Sequence, residues 1–291
     1  MADARTVVDL INVTASFFKS KGIANTARLD AELLLAQVLG CERIELYVRF
    51  DRPVEEPHLS QFRELVRERG RRRPVKQMLG RCEFMSHEFG ITPDVLIPRP
   101  ETETLVAQAL TALDDSARTV VDLGTGSGNI AISIALARPN VAVYATDISE
   151  PALEVARRNS DRLGVAGRVT LLAGDMFAPL VGRGLDGTVD CVVSNPPYVA
   201  DSELPGLMPE VAEYEPRGAL VSEKDGMGHT LRIIAEAPAM LRGGGLLALE
   251  TSPHTARGAK AAAEASGAYE DVRTVLDLGK AERVLTARKR A

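Results

Sequence analysis

The sequence is poor in cysteine and histidine, has no long apolar run, and carries no excess of positive charge. Cys41, Cys82 and Cys191 are widely spaced, which excludes a disulfide framework and a CxxC site. His58, His87, His229 and His254 lack a ligand spacing such as HxxxH, so no metal site is expected. No stretch approaches the ~20 apolar residues that span a bilayer. The start, Met1-Ala-Asp-Ala-Arg5, shows no signal-peptide pattern. A formal net charge of −5 argues against a chain built mainly to hold nucleic acid. These absences predict a reduced, cytoplasmic, soluble protein. Its 291 residues, 45% hydrophobic and 26% charged, suit one large or two ordinary domains with a substantial core.

Residues 1–80 read as a small helical domain. Apolar residues recur at helical spacing in Val7, Val8, Ile11, Ala15 and Phe18, in Leu29, Leu33, Leu34, Ala36, Val38 and Leu39, and in Leu59, Phe62, Leu65 and Val66. Gly40 marks a helix stop. The third helix ends in a basic run from Arg63 to Lys76. That run is either a solvated face favoured at a helix C-terminus or a docking patch for an anionic partner. Residues 81–95 read as a hairpin or extended linker. Leu96-Ile-Pro-Arg-Pro-Glu-Thr-Glu103 is then a rigid extended segment entering a helix that Thr102 or its acidic neighbours begin. Arg99 and Glu101 form an ion-paired hinge or line a pocket; composition leaves both open.

From residue 119 the chain alternates strand and helix, the pattern of a parallel sheet with right-handed crossovers. Thr119–Leu123 is a strand, Gly124-Thr125-Gly126-Ser127-Gly128 a turn, and Asn129–Arg138 a helix. Val141–Thr146 is a second strand closed by Asp147, and Val169–Ala173 a third. Alternate glycines let the backbone approach a ligand, and the following helix offers unpaired N–H groups. Asp147 is placed to accept hydrogen bonds from ribose hydroxyls. The turn, strand, helix and acid in register point to an adenosine-containing cofactor, and the GxGxG spacing leans away from a dinucleotide. Asp175 and Met176 are placed to meet an adenine amino group and its face; Met176 is otherwise core filler.

Val192-Val-Ser-Asn-Pro-Pro-Tyr198 is a buried strand stopped by two prolines, with Cys191 in the same strand as core packing. Asn195 is thereby held at the carboxyl end of a strand, the rim where open α/β sheets bind ligands. The Asn195 side chain and the Pro196 carbonyl can accept the two hydrogens of a planar –NH₂ group while the Tyr198 ring packs against it. A plain Asn-Pro turn capping the strand is the other reading. Leu231–Leu241 reads as a helix, Gly243-Gly-Gly245 as a turn into a strand at Leu246–Glu250, and residues 255–265 as a last helix. Val272–Leu276 and Val284–Ala287 look like a closing strand pair.

These residues together resemble the PrmC/HemK family, the glutamine N5-methyltransferases of peptide chain release factors. The resemblance runs through Arg28-Leu-Asp-Ala-Glu-Leu-Leu34, Leu96 to Glu103, Asp122 to Gly128, Asn195 to Tyr198, Tyr214-Glu-Pro216, Asp225-Gly226 and Arg283-Val284. It implies an α/β fold: a class I methyltransferase, Rossmann-like, with a mostly parallel seven-stranded sheet on residues 96–291, preceded by the helical substrate-recognition domain and the hairpin. It implies S-adenosyl-L-methionine held by Gly124, Thr125, Gly126, Ser127, Gly128, Asp147, Asp175, Met176 and Asn195. Asn195, Pro196 and Tyr198 are implied to act on the amide, and Pro197, Arg99 and Glu101 to line its site. The implied substrate is a class I release factor with a Gly-Gly-Gln loop, and the protein a monomer. Ser222-Glu-Lys224 departs from the family's glycine pair, and Thr251-Ser-Pro-His254 from its glycine-containing turn. A DNA or RNA adenine-N6 methyltransferase remains an alternative, since an exocyclic amine fits the same acceptors, although no base-recognition domain is evident. A non-catalytic S-adenosylmethionine-binding or ribosome-associated module is a third reading, and a dinucleotide oxidoreductase a fourth.

Overall fold

The computed structural model describes residues 5–114 and 116–291. The first helices are α1 (Val7–Ser20), α2 (Ala27–Leu39), α3 (Arg43–Val48), α4 (His58–Gly70) and α5 (Val75–Leu79), followed by the hairpin strands β1 (Arg81–Phe84) and β2 (His87–Gly90). Then come α6 (Thr102–Ala112), β3 (Thr119–Leu123), α7 (Asn129–Ala137), β4 (Ala142–Asp147), α8 (Glu150–Arg162), β5 (Val169–Ala173) and β6 (Val189–Ser194). After the short α9 (Pro209–Ala212) and the one-turn α10 (Glu223–Gly226) follow α11 (Gly228–Met240), β7 (Leu241–Glu250), α12 (Pro253–Ala265), β8 (Tyr269–Leu276) and β9 (Glu282–Lys289). Among the described residues no helix is long and apolar enough to cross a membrane. Nor do three or more His, Cys, Asp or Glu side chains gather where they could hold a metal ion.

The chain forms two compact units. One comprises Met1–Gly80 and Met208–Tyr214, the other Arg81–Leu207 and Glu215–Ala291. In the first, α1 starts at a capping box in which Thr6 and Asp9 serve each other's backbone N–H. Gly40 ends α2 in the left-handed conformation at φ 61°. Phe18, Leu34, Leu35, Leu46 and Phe62 are fully buried, each worth roughly 1.5–3 kcal/mol against exposure. Leu29, although in the helical pattern, remains 42% exposed. The short helices α3 and α5 carry too few apolar residues to announce a period.

Six arginines of the basic run, in α4 and just after it, are ion-paired within this unit. Arg63 pairs with Glu56, Arg67 with Glu64, and both Arg71 and Arg73 with Glu68. Arg69, 5% exposed, joins Asp30 at 2.8 Å and Glu210 at 2.9 Å, and Arg72 also reaches Glu210. Burial works against ionised Glu210, but hydrogen bonds from Arg72 and Arg69 hold its pKa below the usual carboxylate value. Removing one partner of such a buried network strands the others, at a cost of about 3–5 kcal/mol. This pairing favours the solvated-face reading over a docking patch.

In the second unit β1 and β2 pair antiparallel through Met85-Ser86. Both turn residues have positive φ, 50° and 61°, as a two-residue hairpin of matching twist requires. The main sheet has the order β5-β4-β3-β6-β7-β9-β8. Strands β5 to β7 in that order are parallel, and β9 and β8 close the edge antiparallel. Because β4 and β5 extend to one side of β3 and β6 and β7 to the other, the sheet's topology switches at the carboxyl end of β3. Alternation along β3 sends Val120 into one core layer with α6 and α7 residues, and Val121 and Leu123 into the other with Ile233 of α11. The glycine triplet is not a separate turn: β7 already starts at Leu241. A bulge separates the pairs Val189↔Leu241 and Cys191↔Leu246. A Cβ on Gly245 would stand 2.9 Å from the Arg242 carbonyl and 3.0 Å from that of Val189, so only glycine fits there.

Candidate active site

At the switch point lies a cavity of about 380 Å³, within the range of small-molecule sites. Its floor on one side is the turn from Gly124 to Gly128. The N–H groups of Gly124 and Thr125 donate to the Thr146 carbonyl at 2.9 and 3.0 Å, tying the turn to the end of β4. Beneath it Asp122, fully buried, accepts from the Thr125 hydroxyl at 2.7 Å and from the Ala131 N–H at 3.2 Å. Burial pushes the Asp122 pKa up to about 7, against those two hydrogen bonds.

The Asp147 carboxylate is fixed by two backbone donors, Gly126 N–H at 2.8 Å and Ser149 N–H at 2.9 Å, one to each oxygen. Each oxygen keeps a lone pair for a ligand hydroxyl. A Cβ added to Gly124 or Gly126 would meet no protein atom; the space it would enter belongs to the cavity both residues line. Gly128 is outside that lining and caps α7 at φ 80°, where a Cβ would collide with Ile132 at 2.8 Å. Asp175 and Met176 line the cavity. Asp175 also pairs with Arg232 at 3.0 Å, and Met176, 9% exposed, is at once cavity wall and core.

The other side is formed by Asn195, Pro196 and Pro197, which line the cavity, while Tyr198 does not. The Tyr198 hydroxyl instead donates to Glu250 Oε1 at 3.3 Å, and burial raises its pKa. The backbone after Tyr198 is clamped: Val199 donates to the Leu220 carbonyl and accepts from Ser222 N–H, each at 2.9 Å. Gly226, at φ 82°, packs so closely that a Cβ would lie 2.2 Å from the Tyr198 carbonyl oxygen. Lys224 and Asp225 before it hold left-handed conformations at φ 52° and 53°, a region that glycine adopts without strain. Arg99 lines the cavity and donates to both oxygens of buried Glu215 at 2.7 Å, so its ion-pair partner is Glu215 and not Glu101. Glu101 is exposed at the start of α6 and outside the lining.

Three residues escaped the sequence reading. Ile148, 78% exposed, lines the cavity next to Asp147; an apolar residue following that acid was the available signal. Thr102 was legible only as a helix start; the N-cap is Glu101, and the Thr102 hydroxyl accepts from Asn195 Nδ2 at 3.3 Å. Glu250 read as a strand end. It is buried, and burial raises its pKa to about 7 against the lowering effect of Thr102, Arg283 and Tyr198.

A glycine turn and a carboxylate held by two backbone N–H groups at the switch point, with a sheet closed by an inserted antiparallel strand, define a class I methyltransferase fold. A crystal structure of a methyltransferase from Pyrococcus furiosus, 21% identical, agrees in fold with a TM-score of 0.52, covering 72% of this chain and 91% of that one. A family model described as the PrmC N-terminal domain matches residues 9–80, and one described as the methyltransferase small domain matches residues 101–210. Over 289 residues the chain is 44% identical to the release factor glutamine methyltransferase of Rhodopirellula baltica, covering 98% of this chain and 96% of that one. The corresponding protein of Chlorobaculum tepidum is 40% identical over 287 residues, with 97% and 96% covered. The chain belongs to the release factor glutamine methyltransferase family. Its methyl donor is S-adenosyl-L-methionine, and the Cβ-free turn beside a carboxylate with free lone pairs suits that molecule.

Proposed function

We propose that this enzyme methylates the side-chain amide nitrogen of the glutamine in the Gly-Gly-Gln loop of class I peptide chain release factors, in the cytoplasm and as a monomer. The observation that carries the reading is the placement of Asn195 and Pro196 on the wall of the same cavity as the glycine turn and Asp147. S-adenosyl-L-methionine supplies an electrophilic methyl group; Asp147, Gly124 to Ser127 and the Asp175-Met176 pair, which line the cavity, would hold it. An amide nitrogen is a poor nucleophile because its lone pair is delocalised into the carbonyl. Asn195 Oδ1 and the Pro196 carbonyl accept the two amide hydrogens, fix the plane of the group and stabilise positive charge as it grows on nitrogen. The proton then leaves to water, since the N-alkylated cation is strongly acidic, and no side chain is required as a strong base.

A free glutamine offers the same amide with little binding surface, so contacts remote from the reacting atoms must supply orientation. Whole release factor is therefore expected to outperform a short Gly-Gly-Gln peptide by a wide margin. Mass spectrometry with fragmentation, run on release factor, peptide and a DNA duplex after incubation with the methyl donor, decides the substrate. The expected result is a methyl group on the glutamine of the whole factor and none on DNA. A methyl group on adenine with an unmodified glutamine would overturn the reading.

A further inference from the structure

We propose that Thr102 is a positioning residue that sets which way the Asn195 amide faces; this rests on Asn195 accepting the substrate –NH₂. Asn195 Nδ2 donates to Thr102 Oγ1 at 3.3 Å. Thr102 is 1% exposed, so water does not readily take the place of that partner. A threonine hydroxyl has one proton to give, and the Glu250 carboxyl lies beside it as acceptor. Glu250 Oε1 already receives the Tyr198 hydroxyl, whereas Oε2 is buried with no hydrogen-bond partner. The carboxyl thus has a lone pair to spare for Thr102.

With its proton directed to Glu250, Thr102 turns a lone pair toward Asn195. Only the Nδ2 end of the amide can answer it, which leaves Oδ1 as the end available to the cavity. The reversed amide would point N–H donors at a substrate –NH₂, donor against donor. Thr102 stands at the first position of α6, where Glu101 and not Thr102 is the N-cap residue.

The test compares Thr102→Val, which keeps the shape and removes the hydroxyl, with Thr102→Ser, which restores it. Turnover on whole release factor, affinity for S-adenosyl-L-methionine by calorimetry, and the side-chain amide NMR signals of Asn195 are measured for each. Those signals are identified by their loss in Asn195→Ala. The valine variant is expected to lower kcat about tenfold, the worth of one positioned hydrogen bond, to leave cofactor affinity unchanged, and to shift the Asn195 signals. The serine variant is expected to return kcat and signals to wild type. Wild-type kcat in the valine variant, or an equal fall in the serine variant, overturns the assignment. If the valine variant does not fold, Thr102→Ala replaces it. The NMR comparison needs no turnover: should wild-type enzyme leave glutamine unmethylated, the proposed substrate falls, while unmoved Asn195 signals would by themselves overturn the role of Thr102.

Discussion

At the β3–β4 end of the cavity the chain presents mostly backbone: a glycine turn, its N–H groups, and one carboxylate held by two of them. At the β6–β7 end it presents side chains, with Asn195 resting on Thr102 and Tyr198 on Glu250. The first end joins the turn after β3 to the end of β4, 21 positions on. The second joins residues 93 and 52 positions apart. One end is a device of turn and backbone, and the other rests on side-chain contacts that only the finished sheet assembles.

Two substitutions test whether the ends are separable. Asn195→Ala is expected to lower kcat by roughly 10²-fold or more, as the loss of one positioned polar group does, with cofactor affinity little changed. Rapid-quench turnover and calorimetric titration on the same preparation measure both. A large loss of affinity would instead merge the two ends at Asn195, which stands where they meet. Asp147→Ala is expected to do the reverse, raising the dissociation constant for S-adenosyl-L-methionine roughly 10- to 100-fold, since charge-assisted hydrogen bonds contribute about 1.5–3 kcal/mol each. Near-normal kcat at saturating cofactor would complete the contrast. Circular dichroism controls for the two backbone donors that Asp147 also holds.

The smallest effect concerns the clamp behind the acceptor end. Lys224 sits in a left-handed conformation that costs a non-glycine residue about 1–2 kcal/mol. Glycine there relieves the strain but adds freedom to the unfolded chain. Lys224→Gly is therefore expected to stabilise by less than about 1 kcal/mol, a rise of roughly 2–4 °C per kcal/mol in a thermal melt. A lower melting temperature would mean that the lysine side chain contributes more than its backbone strain takes away.

The same division governs what could be read in the sequence. The turn, Asp147 and the buried strands were legible because each depends on residues close in the chain with a clear period or a required glycine. Asn195 and the two prolines were legible because proline stops a strand at a defined place. Thr102 and Glu250 were not, since a threonine at a helix start and a glutamate at a strand end have ordinary local explanations. The closing strands showed in Val272–Leu276 and Val284–Ala287, but nothing local told that β9 inserts between β7 and β8. Nor could composition show that Met208–Tyr214 belongs to the helical unit, where Glu210 meets Arg69 and Arg72 across 141 and 138 positions.

The order β7-β9-β8 also sets a timetable at the ribosome. Synthesis delivers the chain from its N-terminus at about 5–20 residues per second, so the glycine turn and Asp147 emerge well before β9. Until then β7 has an open edge, a template for pairing with another chain. Glu250 lacks its register partner Val284, and Thr251 lacks the Arg283 carbonyl. A nascent chain can assemble the glycine-turn end early, but the Asn195–Glu250 end is completed only when β9 arrives.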